Sequence, residues 1–530
     1  MKPLQNQSVL ILGLGDSGLA MARWCVRRGA RVQVIDTREA PPQLVQLQTE
    51  LPQVQFRQGA FDAQWINGQD VRAVFKSPGL SPDGVAPLWQ AAQAAGLWVG
   101  TELTLFAQAL QDFQTEKAYH PKVLAITGTN GKTTVTSLTA QLLERAGLRV
   151  AVAGNIGPTL LDTLAQALDD ADRQAQEAAV LTESQEVLNE SAVTVATDHP
   201  YLPQVWVLEL SSFQLEGVDN FEPTASTVLN LTQDHLDWHG GMVEYGAAKA
   251  RIFGKQGLMV LNRGDLGVMA MLPEPVRVKL QRPQWRTHVT FGADVPQRPG
   301  DYGIETVNGM AWLVRALEAD ETLKRRKDDD EDVHIQRLMP ADALRIRGRH
   351  NALNALAALA LACSTGANLA PMLYGLREYR GEPHRVEPVA VLDDVEYFDD
   401  SKGTNVGATV AALQGLGAER RLVVILGGDG KGQDFSPLAE AVQRFVRAVV
   451  LIGRDASVIR DALQSTGVPL HDAATLEAAA QQCRDLAQPG DAVLLSPACA
   501  SMDMFRNYAH RAEVFVQAVQ AMCDEQGGAT

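Results

Sequence analysis

Short apolar runs, each closed by a glycine or a polar residue, recur in three groups along this chain. In the first, residues 9–12 give way to Gly13-Leu14-Gly15-Asp16-Ser17-Gly18 and a helical pattern through Trp24 to Gly29; residues 32–35 then end at Asp36. Residues 73–75, closed by Ser77-Pro78-Gly79, and 97–99 complete that group. The second group holds 123–126, followed by Gly128-Thr129-Asn130-Gly131-Lys132-Thr133-Thr134 and a helical face of Val135, Leu138, Leu142, Leu143 and Ala146. It continues with 150–153, closed by Gly154-Asn155-Ile156-Gly157, then 205–208, closed by Glu209, and 227–231, leading into Asp234-His235-Leu236-Asp237. The third holds 395–398, closed by Asp399-Asp400; 422–426, closed by Gly427-Gly428-Asp429-Gly430; 448–452; and 492–495, closed by Ser496. Runs this short and continuous, alternating with helical patterns, predict α/β units whose mostly parallel sheets are covered on both faces. Ligands bind beyond the carboxyl ends of such strands, where these polar groups fall.

Two segments break the rhythm. Residues 165–200 are polar and acidic with no sustained apolar period, and residues 318–338 contain Asp328-Asp329-Asp330-Glu331-Asp332. Both are expected to be solvated, mobile insertions without a catalytic role.

A chain of 530 residues suffices for about three or four domains. Its net charge of −16 argues against a nucleic-acid partner. Small anionic substrates are not excluded, because helix N-termini and local Lys or Arg hold them. The five cysteines (Cys25, Cys363, Cys483, Cys499, Cys523) have no metal-ligand spacing and read as buried thiols in a reducing compartment. The first apolar run is broken by Gly13, Gly15 and Asp16, so it reads as a strand rather than a signal peptide. No stretch approaches the roughly 18 apolar residues of a membrane span. A soluble, cytoplasmic, monomeric enzyme is expected.

The chemistry concentrates at strand ends. Strand, glycine loop and helix around residues 128–134 form the context in which backbone N–H groups hold phosphate. Lys132 is placed to reach the terminal phosphates of ATP, and the Thr133 hydroxyl to sit on Mg²⁺. The usual P-loop string has glycine six positions before its lysine; here Ile126 stands there and the loop is compressed. Gly13-x-Gly15-x-x-Gly18 with Asp36 fits the dinucleotide fingerprint. The same geometry serves any nucleotide diphosphate, and Asp36-Thr37-Arg38 suits a nucleoside. Glu209 ends an apolar strand, where a carboxylate calls for a cation such as Mg²⁺. His235 shares that strand-end placement and reads as a ligand. Lys249, in a helical small-residue context, reads from composition as a surface lysine. Asn351 and Asn354 open an Ala/Leu-rich helix, with amides suited to an adenine edge. The segments 399–405 and 496–503 follow strands and offer a lysine and hydroxyls for a carboxylate.

Together these motifs resemble the Mur ligase family over nearly the whole chain, the two insertions apart. GTNGKTT, ELSSFQLE and DHLD are similar to motifs shared by Mur and folylpolyglutamate ligases. GLGDSG, SPGL, GNIG, HRVE, DDSKGTN, LGGDGKGQDF and LSPACASMD resemble more narrowly the branch that adds D-glutamate to UDP-N-acetylmuramoyl-L-alanine in peptidoglycan synthesis. The resemblance implies an α/β protein of three domains. These are a Rossmann-like UDP-substrate domain (1–110), a P-loop ATPase-like domain (111–381, with both insertions) and a Rossmann-like C-terminal domain (382–530) that binds the incoming amino acid. It implies that Gly15, Asp16, Ser17, Asp36, Thr37 and Arg38 face the UDP group, with Ser77 and Asn155 further along the substrate. Glu209 and Thr133 are expected on one Mg²⁺, His235 and Lys249 on a second, with Lys249 as its carbamate. Asn351 and Asn354 are expected at adenine, and Arg385, Asp400 and Lys431 at the nucleotide as the C-terminal domain closes. Lys402, Thr404, Ser501 and Tyr508 match positions around D-glutamate, although the family often has Phe where Tyr508 stands. Three other readings remain at this point: a different amide ligase of the same type, a dinucleotide-dependent oxidoreductase, and an ATP-driven binding module.

Overall fold

The computed structural model describes residues 4–155, 157–185, 199–276, 283–319, 333–418 and 420–527. Its strands form three sheets that follow one another along the chain. The first contains β1 (Ser8–Leu12), β2 (Arg31–Asp36), β3 (Gln55–Gln58), β4 (Ala73–Lys76) and β5 (Trp98–Gly100). They are parallel, in the order β3-β2-β1-β4-β5. Strand order reverses between β1 and β4, which opens a crevice at their carboxyl ends.

The second sheet contains β6 (Lys122–Thr127), β7 (Val150–Gly154), β8 (Val205–Glu209), β9 (Ala225–Val228), β10 (Leu258–Asn262), β11 (His288–Phe291), β12 (Tyr302–Val307), β13 (Met310–Glu318) and β14 (Val333–Pro340). Their order is β14-β13-β12-β11-β10-β9-β6-β8-β7, with only the β12–β13 and β13–β14 pairings antiparallel. The loop after β6 therefore emerges between the ends of β8 and β9. The third sheet contains β15 (Glu387–Leu392), β16 (Val395–Asp399), β17 (Leu422–Gly427), β18 (Val446–Ile452), β19 (Leu470–Asp472) and β20 (Ala492–Leu495), in the order β15-β16-β20-β17-β18-β19. Only β15 is antiparallel there. Helix Lys132–Arg145 packs on one face of the second sheet beside helix Arg349–Cys363, whose run of buried alanines permits close approach.

Three expectations need correction. Residues 165–185 are helical, part of helix Leu160–Gln185. Leu160, Leu164 and Leu168 give that helix a buried stripe against helices Asp16–Arg27 and Glu102–Lys117. Ion pairs Arg23–Asp162 (2.9 Å) and Arg27–Asp169 (2.7 Å) add to the contact. The polar composition is the solvent face of a helix whose stripe begins before residue 165. Secondly, residues 333–338 belong to β14 rather than to an insertion; the acidic run 328–332 and residues 186–198 lie outside the described residues. Thirdly, the strand expected at 227–231 is β9, Ala225–Val228. The chain leaves the sheet at Leu229 because Asn230 turns its backbone and side chain to the loop after β6. No helix among the described residues is long and apolar enough to cross a membrane.

Candidate active site

The loop after β6 is held in shape before any ligand arrives. Gly131 has φ +85°, and a Cβ there would lie 2.7 Å from Asn354 Oδ1, so only glycine fits. Asn230 reads the loop twice: its Oδ1 accepts from Asn130 N (2.8 Å) and its Nδ2 donates to Asn130 O (3.0 Å). Thr129 Oγ1 accepts from Thr232 N (3.0 Å) and lies 3.2 Å from the Tyr245 hydroxyl. Lys132 heads helix Lys132–Arg145, and its ammonium arches back to Gly128 O (2.9 Å) and Thr129 O (3.0 Å). Thr133 and Thr134 are buried in the first helical turn.

Three further groups surround this loop. Glu209, at the end of β8, is buried; its Oε1 accepts from Asn155 Nδ2 (2.9 Å), whereas Oε2 is sealed without a donor. Lys249, on helix Met242–Ala250, is 1 % exposed and not a surface residue. The small residues around it, which suggested a surface, let that helix approach the loop closely. Its Nζ donates to Gly128 O (3.0 Å) and Thr127 Oγ1 (3.3 Å) and stands 4.6 Å from the Tyr245 ring centroid. Burial first, then the charge of Lys132, holds the amine well below the usual lysine range. His235, in a left-handed conformation (φ +53°), lies with Nε2 3.6 Å from Asp234 Oδ2 and against Phe213 at 4.7 Å between ring centroids. Burial lowers its pKa.

The third sheet closes over the loop. Asn130 and Asn405 exchange amide hydrogen bonds of 3.2 and 3.0 Å, and Arg385 Nη2 donates to Thr133 Oγ1 at 2.8 Å. A cavity of about 260 Å³ remains between the two units, lined by Asn130, Gly131, Thr134, Asn354, Arg385 and Asp400 among others. Asn351 also borders it, and its Oδ1 accepts from Asn354 Nδ2 at 3.1 Å. Asp400 is buried, which pushes its carboxyl up to about 7, and Ser496 Oγ donates to it at 2.7 Å. Lys402 stands 5.2 Å from the Tyr508 ring centroid, and burial lowers its pKa. Thr404 follows it, its N–H turned onto Lys402 O at 3.0 Å. Ser501 is buried in the loop after β20. Lys431 is exposed in the loop after β17, with φ +51°.

The expected UDP residues form a separate cluster at the first sheet. Gly15 caps helix Asp16–Arg27, and Ser77 Oγ donates to Gly13 O at 3.0 Å. The Asp36 carboxylate is fully occupied within the protein. It accepts from Leu14 N (2.7 Å), Arg38 N (2.9 Å) and the Arg38 guanidinium (2.7 and 2.9 Å), so it shapes the loop and aims Arg38. Thr37 and Arg38 are exposed, Asp16 accepts from Gln43 Nε2 at 2.6 Å, and Ser17 is half-buried in the first turn of helix Asp16–Arg27. Asn230, Tyr245 and Asn405, which contact the loop of residues 128–134, are not among the residues that the sequence motifs nominate. Asn230 alone left a signal, a polar residue inside an apolar run.

Comparison with known proteins gives consecutive matches along the chain. Residues 7–100 match the model of the MurD-like N-terminal domain of Mur ligases. Residues 126–362 match the Mur ligase middle domain, and 384–499 the Mur ligase glutamate ligase domain. A UDP-N-acetylmuramoylalanine--D-glutamate ligase of Albidiferax ferrireducens is 64 % identical over 529 residues, covering 100 % of this chain and 99 % of the relative. Proteins of the same name from Polaromonas sp. and Burkholderia pseudomallei are 56 % and 54 % identical, each over 99 % of this chain and 100 % and 98 % of their own. Among solved structures, MurF ligase from Thermotoga maritima in complex with ADP superposes with a TM-score of 0.54 at 14 % identity, covering 98 % of this chain and 100 % of that one. UDP-N-acetylmuramate-alanine ligase MurC of the same organism gives 0.51 at 19 % identity, with the same coverage. By whole-length identity and by three consecutive domain matches, this chain belongs to the Mur ligase family.

Proposed function

We propose that this protein is an ATP-dependent amide ligase that joins D-glutamate to UDP-N-acetylmuramoyl-L-alanine in peptidoglycan precursor synthesis. The supporting geometry is the preorganised loop of residues 128–134 facing Arg385, Asn354 and Asp400 across one cavity, which suits a nucleotide enclosed between two units. The choice of amino acid rests on the names of the relatives.

A carboxylate is a poor electrophile at neutral pH. Its oxygen attacks the γ-phosphorus of ATP, the bond to the bridging oxygen breaks, and ADP leaves with that electron pair. The D-glutamate nitrogen then attacks the acyl carbon, phosphate departs, and the nitrogen sheds a proton. Lys132 and Arg385 offset the crowding of negative charge at the transferred group. Lys402 with Thr404, Ser501 and Tyr508 holds D-glutamate, and closure of the third unit excludes water from the acyl phosphate. Gly15, Asp16, Ser17, Thr37, Arg38 and Ser77 hold the nucleotide sugar, with Asp36 fixing Arg38 and Asn155 set further along; Lys431 reaches the nucleotide. The donor set fits divalent cations, since Glu209 keeps a buried oxygen without a partner. Glu209 and Thr133 would hold one Mg²⁺, and His235 with Lys249 a second; the ions supply charge neutralisation at the phosphates. Lys249 serves that set only as a carbamate, formed when its neutral amine adds to CO₂ and releases a proton.

The test is phosphate release with UDP-N-acetylmuramoyl-L-alanine, ATP and each amino acid in turn. Release with D-glutamate alone supports the reading. Preference for another amino acid would reassign the branch, and ATP hydrolysis independent of both substrates would favour an ATP-driven binding module.

A further inference from the structure

Lys76 closes β4, one residue before Ser77, and is 4 % exposed. Val74, two residues earlier, packs with Val85 and Leu88 of helix Pro82–Ala94, and strand alternation puts Lys76 on that face. Its stem therefore continues an apolar row, and its ammonium emerges over two indoles. Nζ lies 5.7 Å from the ring centroid of Trp89, on the same helix, and 5.8 Å from that of Trp238. Trp238 belongs to the second unit, in helix Leu236–His239, which follows His235 directly. Lys76 thus sits at the seam between the expected sugar-nucleotide cluster and the ATP loop.

Among the described residues this ammonium has no hydrogen bond and no ion pair. Glu216 acts on it only from a distance and is itself 3.7 Å from Arg251. Trp238 Nε1 is likewise buried without an acceptor. Two donors meet at one seam, and no acceptor among the described residues serves either. Ring faces at this range compensate a desolvated ammonium only in part.

We propose that Lys76, with Trp238 Nε1, receives an anionic oxygen of the nucleotide-sugar substrate and so determines its recognition. The inference rests on the ligase reading above. Two groups of that substrate carry such oxygens, the diphosphate and the alanine carboxylate. Both belong to a molecule that must reach from the first sheet's strand ends to Lys132.

Lys76→Met keeps the apolar stem and removes the charge; Lys76→Arg keeps the charge. Calorimetric affinities for UDP and for UDP-N-acetylmuramoyl-L-alanine are measured on the full chain, with steady-state constants beside them. Lys76→Met is expected to weaken the full substrate at least tenfold while KM for ATP and for D-glutamate stays put, and Lys76→Arg to recover most of the loss. Weakening of UDP as well assigns the diphosphate; weakening of the full substrate alone assigns the carboxylate. Trp238→Phe, which removes Nε1 and keeps a ring, should weaken the same ligand several-fold. Wild-type affinities preserved in Lys76→Met, or equal rises in KM for ATP and the sugar nucleotide, would overturn the proposal and leave an aromatic clip between two units. Wild-type protein that binds neither UDP ligand would overturn the ligase reading itself.

Discussion

Glu102 offers a measurement of how tightly the first unit is joined to the second. It opens helix Glu102–Lys117 and is 1 % exposed. Its Oε1 accepts from Leu161 N at 3.0 Å, and its Oε2 is sealed without a partner. Burial, with Asp162 nearby, pushes its carboxyl from 4.5 up to about 7 against the pull of its hydrogen bonds. In the unfolded chain this group ionises near its ordinary value, while in the native protein it keeps its proton until about neutrality. Its contribution to stability is therefore complete below pH 4.5 and is lost as pH rises to about 7. The gap, at about 1.4 kcal/mol per pH unit, corresponds to ~3 kcal/mol. Glu102→Gln removes the ionisation and keeps an acceptor for Leu161 N. Denaturant unfolding of both proteins from pH 4.5 to 8.5 gives the difference in unfolding free energy at each pH. That difference should be small at the acid end and should grow to ~3 kcal/mol in favour of the Gln variant by pH 8. Parallel curves across the range would refute the argument, because they would mean that the carboxylate is already ionised in the native seam.

The remaining predictions concern the proposed chemistry. Lys132→Ala should abolish ligation in a phosphate-release assay yet leave calorimetric binding of UDP-N-acetylmuramoyl-L-alanine intact, since the two clusters lie on different sheets; near-normal turnover would sink the assignment. Lys402→Ala should raise KM for D-glutamate by roughly 30-fold or more, equivalent to ~2 kcal/mol for a lost charge-assisted contact, with KM for ATP little changed. Equal effects on both substrates would place Lys402 at the nucleotide or in the framework instead. Lys249→Ala should be nearly inactive and partly rescued by a short carboxylic acid in the medium, whereas Lys249→Arg should not recover, because a guanidinium keeps its charge. Full activity in Lys249→Arg would rule out the carbamate.

How far the fold was legible follows burial. The runs that became β1, β8, β17 and β20 are buried along nearly their full length, so each is a continuous apolar stretch bounded by polar residues. β3 exposes all but Phe56, and β12 to β14 are largely half-exposed, so their patterns do not rise above those of loops. The segment at 165–185 misled for the opposite reason. Leu160, Leu161 and Leu164 of its buried stripe precede it, so the stripe barely enters the segment and most of residues 169–180 face water.

The site divides along the same line, between what a local stretch specifies and what only folding brings together. The loop of residues 128–134 announces itself because strand, glycines, lysine and helix are contiguous. Lys249 meets Gly128 across 121 positions, and Asn405 meets Asn130 across 275. Neither lysine nor asparagine carries a local mark of that encounter, so the resemblance to a family, rather than composition, had to nominate Lys249. Asn405 lies in a segment whose lysine and hydroxyls carry the chemical signal, while the asparagine itself carries none. Lys76 is the extreme case: a lysine at the end of an apolar strand reads as the strand meeting water. Only the placement of Trp238 from the second unit turns it into a desolvated ammonium with no anionic partner among the described residues. Burying an unpaired charge costs more than a fold gains from two ring faces, and that imbalance at the seam between the two ligand clusters is what the affinities of Lys76→Met are designed to read.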